Sequence, residues 1–158
     1  YNVGFTLQFD DAPSEPIEIA HRTGAPSYKA DVNVNEPNIS TLDSGYQLIE
    51  VPLEAIAWGR SGDKGNKANI GIIARHPNLL PHIWDTFSEE KIVEIFSHFL
   101  ENDKVDRHYL PGISGVNYVL HDVLGGGGTT SLRNDPQGKG YAQILLSCKI
   151  SVPKNLLV

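Results

Sequence analysis

The stretch VPLEAIAWGRSGDKGNKANIGIIA, residues 51–74, decides the fold because a polar segment separates two apolar segments in it. Residues 51–58 and 70–74 are typical of strands, whereas residues 59–69 mix glycines with lysine, arginine, aspartate and asparagine. Two interpretations remain open. The polar segment is either a solvated hairpin loop or a cradle whose glycine N–H groups bind an anion.

The charge of this polar segment favours an anion over a cation. Arg60, Lys64, Lys67 and Arg75 face only Asp63 along the chain, which leaves an excess of positive charge. The spacing fits neither the phosphate loop G-x-x-x-x-G-K-[ST] nor the nucleophile elbow G-x-S-x-G. Residue types alone therefore predict a small anion site at most.

The composition limits the classes of function. The chain has 158 residues, 40% of them hydrophobic, and a formal net charge of −6, which argues against general nucleic-acid binding. No apolar run approaches the roughly 20 residues of a membrane helix, and no signal-peptide pattern is evident, so we expect no membrane partner. The single cysteine, Cys148, excludes an internal disulfide and favours a cytoplasmic location.

The chain divides near residue 47 into an irregular acidic arm and a compact domain. Residues 1–47 carry four prolines and no sustained period, apart from a predicted strand over 3–9. Residues 48–158 predict an α+β sandwich, with an antiparallel or mixed sheet and helices on one face.

The predicted element order of the compact domain is β-β-α-α-β-α-β-β. One strand covers residues 46–59, with an edge or a bend at Pro52. Ser88 predicts the N-cap of a helix over 89–100. We expect a further helix over 114–128 and a hairpin over 129–152. The predicted core is Ile56, Ile70, Ile72, Ile92, Ile95, Phe96, Phe99, Val116, Leu120, Ile144 and Leu146.

Two further polar clusters follow the predicted core elements. Four glycines at 125–128 exceed what a helix end needs, so this segment is either flexible or closely approached by a ligand or by backbone. Arg133, Asp135 and Lys139 surround a turn that has an ordinary solvated interpretation. His121 precedes the glycines and is the histidine best placed to act as an acid or base. The histidine spacing predicts no metal site, and the absence of G-x-G-x-x-G argues against a dinucleotide cofactor.

These clusters, in this order, resemble a known family. The motifs are R-S-G-D-K-G followed by A-N-I-G, and L-G-G-G-G followed by S-L-R and D-P-x-G-K, within 51–153. They resemble the C-terminal domain of the acyclic terpene utilisation protein AtuA and its relatives. The resemblance implies a ferredoxin-like fold and a role in the catabolism of acyclic terpenes such as citronellol and geraniol, which proceeds through acyl-CoA esters. It implies no defined reaction and no cofactor.

Two functional hypotheses follow. In the first, the domain binds a small anion, such as a group of a CoA ester. The ligand-binding candidates are Arg60, Ser61, Gly62, Gly65, Asn66, Asn69, Gly125, Gly126, Gly127, Gly128, Arg133 and Lys139, and the catalytic candidates are Asp63, Lys64 and His121. In the second, the same clusters form a non-catalytic assembly surface, in a homo-oligomer or against a larger AtuA-type domain. The resemblance favours a site or a tightly built interface over turn chemistry alone, and we expect residues 60–65 and 125–128 to meet.

Overall fold

A computed structural model of the chain describes residues 35–38 and 46–157, which all lie in one compact unit, Val34–Val158. The strand predicted over 3–9 lies outside the described residues. The boundary near residue 47 falls at the edge of the described part and stays a prediction.

Within residues 46–157, six strands form two antiparallel sheets. The strands are β1 Leu48–Pro52, β2 Ala57–Lys64, β3 Lys67–Ala74, β4 Val105–Leu110, β5 Gly115–Leu120 and β6 Lys149–Pro153. The main sheet has the order β2-β3-β5-β4, and β1 pairs with β6 in a separate two-stranded sheet. Every pair is antiparallel.

The described part of the chain has three α-helices, which pack on one side of the main sheet, as the α+β prediction required. They are α1 Leu80–Thr86, α2 Glu89–Phe96 and α3 Tyr141–Ser147. Ser88 caps α2 as predicted, since its hydroxyl accepts the N–H of Lys91 at 3.3 Å. The helix ends at Phe96, four residues earlier than expected. The fold class is therefore confirmed as ferredoxin-like α+β with antiparallel sheets.

The core lies between the main sheet and these helices, and it follows the period of each element. On β3, Ala68, Ile70, Ile72 and Ala74 are buried while the residues between them are more exposed. All eleven predicted core residues belong to this cluster or pack against it; the four partly buried ones are Ile95, Phe99, Ile144 and Leu146.

The polar segment of the opening stretch is not a loop. The strand predicted over 46–59 bends after Pro52 and splits into β1 and β2, and β2 then continues through the whole R-S-G-D-K motif. Only Gly65 and Asn66 form the turn, because Lys64 pairs with Lys67 at the hairpin end. Gly65 has φ +67°, which a two-residue hairpin turn favours. The interpretation of 59–69 as a long loop was wrong.

The prediction of a helix over 114–128 is also wrong. Val116, Tyr118 and Leu120 are buried, and Asn117 and Val119 alternate with them, so the segment pairs as strand β5 between β3 and β4. Over a run this short, the two-residue period of a strand and the 3.6-residue period of a helix place several of the same residues on the buried side. The β-branched residues in the run favoured the strand.

The hairpin predicted over 129–152 is wrong on both sides of its turn, because residues 129–134 form no strand and the predicted long strand survives only as β6. The predicted turn exists, with Gly138 at φ +59°, but it leads into helix α3 rather than into a long strand. Tyr141, Ala142 and Leu145 are buried at helical spacing. The apolar run is therefore divided between α3 and the short strand β6. The observed order is β-β-β-α-α-β-β-α-β.

Candidate functional site

The face of the main sheet that points away from the helices carries the polar residues of the opening stretch. Because side chains alternate along a strand, every second residue of each strand lies on this open face. The strand pairing arranges these residues in rows across the sheet, with apolar residues at one end and cationic residues at the other. The open face comprises Trp58, Arg60, Gly62, Lys64, Lys67, Asn69, Gly71, Ile73, Asn117, Val119, Asp106, His108 and Leu110.

Two glycines leave a hollow in this face, which we call the glycine hollow. Gly62 on β2 and Gly71 on β3 lack side chains, and a pocket of about 380 Å³ lies above them. Its remaining walls are formed by neighbouring residues on β2 and β3 and in the segment before α3. These residues are Arg60, Ser61, Lys64, Asn69 and Lys139. The structure thus brings together five ligand-binding candidates and the catalytic candidate Lys64.

The charge balance of the glycine hollow is positive. Arg60, Lys64 and Lys139 contribute three cations. The carboxylate of Asp63 approaches Lys139, with 4.0 Å between Oδ1 and Nζ. The ammonium of Lys64 donates to the backbone carbonyl of Asp63 at 3.0 Å. One carboxylate against three cations leaves the hollow suited to an anion.

A tight turn brings Lys139 to the glycine hollow across the edge of β2. The Asp135 carboxylate accepts the N–H groups of Lys139 and Gly140 at 2.9 and 2.7 Å. Ser61 then joins β2 to this segment, because its hydroxyl donates to the Lys139 carbonyl at 3.0 Å and accepts the Ala142 N–H at 2.9 Å. Sequence reasoning placed Ser61 on a ligand, and nothing in the local pattern revealed this bond across 78 positions.

Substitution of Ser61 is expected to loosen this junction. Ser61 is 5% exposed, so Ser61→Ala leaves the buried Ala142 N–H without its acceptor and should lower the free energy of unfolding by about 1–3 kcal/mol. Urea denaturation measures the change. Ser151→Ala, at an exposed position on β6, is the matched control and should stay within about 0.5 kcal/mol. Equal values for the two variants would contradict the junction.

The four glycines at 125–128 contact the hairpin turn, as expected, but by a different route. They follow strand β5 rather than a helix, and all four have positive φ. Asn66 connects the two segments, because its Oδ1 accepts the Gly126 N–H at 2.8 Å and its carbonyl accepts the Val123 N–H at 3.0 Å. Gly127 lies directly against the backbone of Gly65. Asn66 and the glycines therefore bind each other, at the turn end of the hairpin, and they do not line the glycine hollow.

The remaining predicted site residues are separated from the glycine hollow. His121 follows β5, and its Nε2 lies 2.6 Å from the Asp106 carboxylate. This hydrogen bond holds the pKa of Asp106 below its usual value. Asp106 lies three strands from Gly62 in the same row, or about 14 Å at the usual strand spacing. The histidine is thus placed beside a carboxylate on the open face but not inside the hollow.

Arg133 also lies apart from the other cationic candidates. Its guanidinium donates to the Phe99 carbonyl at 3.0 Å and sits over the Phe99 ring, 5.6 Å from the ring centre. It lines a different pocket, on the helix side.

Sequence reasoning missed Asn117 and His108, which share a row with Arg60 and Gly71. The Asn69 side-chain amide donates to the Asn117 side-chain oxygen at 3.2 Å, so the two residues form a polar strip beside the hollow. Only the strand register reveals this strip.

Comparison with known proteins places the chain by family. Across the described part of the chain, no helix has the length and apolar character needed to cross a bilayer. No curated protein and no solved structure matches the chain. The family model of the AtuA ferredoxin-like domain matches residues 51–151, from the middle of β1 to the middle of β6. This match covers well over half of the 158 residues, so the chain belongs to the AtuA ferredoxin-like domain family.

Proposed function

We propose that this domain binds an anionic group of a small molecule in the glycine hollow. The observation that carries the proposal is the convergence of Arg60, Lys64 and Lys139 on a space that two glycines leave open. Charged donors around a hollow on a rigid sheet are positioned before the ligand arrives, which reduces the entropic cost of binding.

The ligand class that fits best is a phosphate-bearing molecule. Three cations against the single carboxylate of Asp63 favour a group with more than one negative charge over a single carboxylate. The family membership suggests a CoA ester of acyclic terpene catabolism, since coenzyme A supplies phosphates. In this proposal Asp63 balances Lys139 when the hollow is empty. Its role as an acid or base, like that of His121, stays a prediction.

Calorimetric titration with coenzyme A and with inorganic pyrophosphate tests the proposal. Lys139→Gln and Arg60→Gln should each weaken binding of both anions by about ten-fold, since each removes one charge-assisted contact. Lys149→Gln, at an exposed position on β6, is the matched control and should change binding by less than about two-fold. Raising the salt concentration should weaken binding of the unmodified protein.

The outcomes of this titration are distinct. Equal losses in Lys139→Gln and Lys149→Gln would mean that the anion senses net charge rather than the hollow. Absence of binding by either anion would overturn the proposal. All three substituted side chains lie at the surface, so each variant should retain the fold. Circular dichroism of each variant checks this.

A second candidate function, assembly, is favoured by the apolar end of the open face. Trp58, Leu110 and Ile113 are 54%, 36% and 52% exposed, and Ile73 lies beside Trp58 at 38%. A cluster of exposed large apolar side chains on one sheet face is typical of an interface. Under this alternative the domain docks onto a second copy or onto a larger AtuA-type domain.

Sedimentation of the protein separates this alternative from the first. If the apolar end is an interface between copies, Trp58→Ser should shift the protein to a smaller species. If the protein sediments as a monomer with and without the substitution, self-assembly through this face is excluded. Anion binding to such a monomer would then support the first proposal over self-assembly.

A further inference from the structure

An apolar cleft lies on the helix side of the molecule, separate from the glycine hollow. It measures about 620 Å³, within the range of about 300–1,000 Å³ that small-molecule sites occupy. Its wall is formed by Phe99, Tyr141 and Ile144, and Leu132 and Arg133 stand beside them. We call it the aromatic cleft.

The wall of the aromatic cleft is packed against the core, since Tyr141 is buried and Phe99 and Ile144 are partly buried beside it. The rings of Phe99 and Tyr141 are stacked with their centres 5.1 Å apart, and Phe96 packs on Tyr141 at 5.4 Å. The Tyr141 hydroxyl donates to the Val123 carbonyl at 3.1 Å, which fixes the ring from its far end. An apolar ligand therefore meets a surface that is already formed.

The charged residues of the cleft are one base, Arg133, and one acid, Asp135, and only the base has donors or acceptors left for a ligand. Both carboxylate oxygens of Asp135 accept backbone N–H groups, at 2.9 and 2.7 Å. The guanidinium of Arg133 donates one hydrogen bond to the Phe99 carbonyl. A guanidinium carries five N–H donors, so this bond leaves Arg133 with capacity for a carboxylate. The acid is engaged by backbone, whereas the base keeps donors for a ligand.

Leu132 places an exposed apolar side chain beside the cleft. Its side chain is fully exposed beside the cleft, at 101% of its reference area. A fully exposed leucine next to an apolar wall gains burial when an apolar body fills the cleft.

We infer that the aromatic cleft binds a monocarboxylate with an apolar body, whose carboxylate pairs with Arg133 and whose body packs against Phe99, Tyr141 and Ile144. This site is independent of the anion site proposed on the open face. The two sites share no lining residue, although the neighbouring residues Lys139 and Gly140 line the hollow and the cleft, respectively.

Titration with decanoate, followed by calorimetry and by ¹⁵N chemical shifts, tests the inference. Decanoate should bind, whereas acetate, which lacks the apolar body, should bind at least about ten-fold more weakly. Arg133→Gln should weaken decanoate by about ten-fold and leave 1-decanol within about two-fold, because only the acid uses the charge. Leu132→Ser should weaken both ligands, and its exposed position should leave the fold intact.

The chain offers a matched control for Arg133. Arg75 also donates to a backbone carbonyl, that of Glu54 at 3.1 Å, and also lies over an aromatic ring, that of Trp58 at 4.6 Å. Arg75 lines a pocket that is separate from the aromatic cleft. Arg75→Gln should therefore leave decanoate binding within about two-fold of the unmodified protein.

Three results would overturn the inference. They are equal losses of decanoate affinity in Arg133→Gln and Arg75→Gln, equal affinity for acetate and decanoate, and shift changes confined to residues outside the cleft. Because pyrophosphate binding is measured separately, failure of decanoate binding leaves the anion proposal for the open face untouched.

Discussion

Replacement of Phe96 with alanine is expected to lower the free energy of unfolding by about 3–5 kcal/mol, the usual loss for a large aromatic core truncation. The Phe96 ring is completely buried at the end of α2. Its ring centre lies 6.4 Å from that of Phe99 and 5.4 Å from that of Tyr141. Its removal therefore leaves a cavity between α2 and α3 that the surrounding side chains cannot fill. Urea denaturation followed by circular dichroism gives the value.

A neighbouring position on the same helix serves as the control for Phe96. Glu94 is exposed and pairs only with Lys91 in a surface ion pair. Glu94→Ala should therefore change the free energy of unfolding by no more than about 0.5 kcal/mol. A loss within 0.5 kcal/mol for Phe96→Ala as well would contradict the phasing of α2 and the position of the core.

Replacement of Gly127 with alanine is expected to lower the free energy of unfolding by about 2–5 kcal/mol. Gly127 has φ +72°, a conformation that strains an L side chain by about 1–2 kcal/mol. A Cβ atom would also fall on the carbonyl oxygen of Gly65, so the glycine segment or the hairpin turn must move, at a further cost of about 1–3 kcal/mol.

Gly128 separates strain from the clash at Gly127. It has φ +53°, but a Cβ atom there meets no atom within 4 Å. Gly128→Ala should therefore show the strain alone, about 1–2 kcal/mol. If the two variants lose the same stability, then the contact between 125–128 and the hairpin turn is not formed in solution.

The parts of the fold that follow from the sequence are those with an unambiguous local signal. Ser88 and the acids after it predict the start of α2, and the apolar spacing of Ile92 and Phe96 predicts its buried face. The alternation in β3 predicts the strand and its core side. These signals depend on neighbours within one or two turns, so they need no knowledge of the tertiary structure.

The parts that failed lack such a signal. Residues 115–120 and 141–147 are short apolar runs that fit either period, and the first pairs as a central strand while the second packs as a helix. Tertiary packing decides between the two states, because each run is buried in the arrangement that it adopts. Interpreting Gly59 and Gly62 as loop residues failed for a related reason, since a strand also tolerates glycine where a neighbour approaches closely.

The candidate site could be predicted in residue type but not in grouping. The excess charge at Arg60 and Lys64 is visible along the chain, and so is the base at 139. That Lys139 joins them while Arg133 does not depends on the hydrogen bonds of Ser61 and on the turn before α3. These bonds span about half of the chain and leave no local trace.

One measurement tests the anion site most directly. The ¹⁵N amide shifts of Gly62, Asn69 and Gly71 are followed while coenzyme A is added to the labelled protein. If the glycine hollow binds the phosphates, these three amides shift together and saturate at one affinity, and Lys139→Gln reduces that affinity by about ten-fold. Unchanged shifts at all three, or saturating shifts only elsewhere on the protein, would contradict the proposed site.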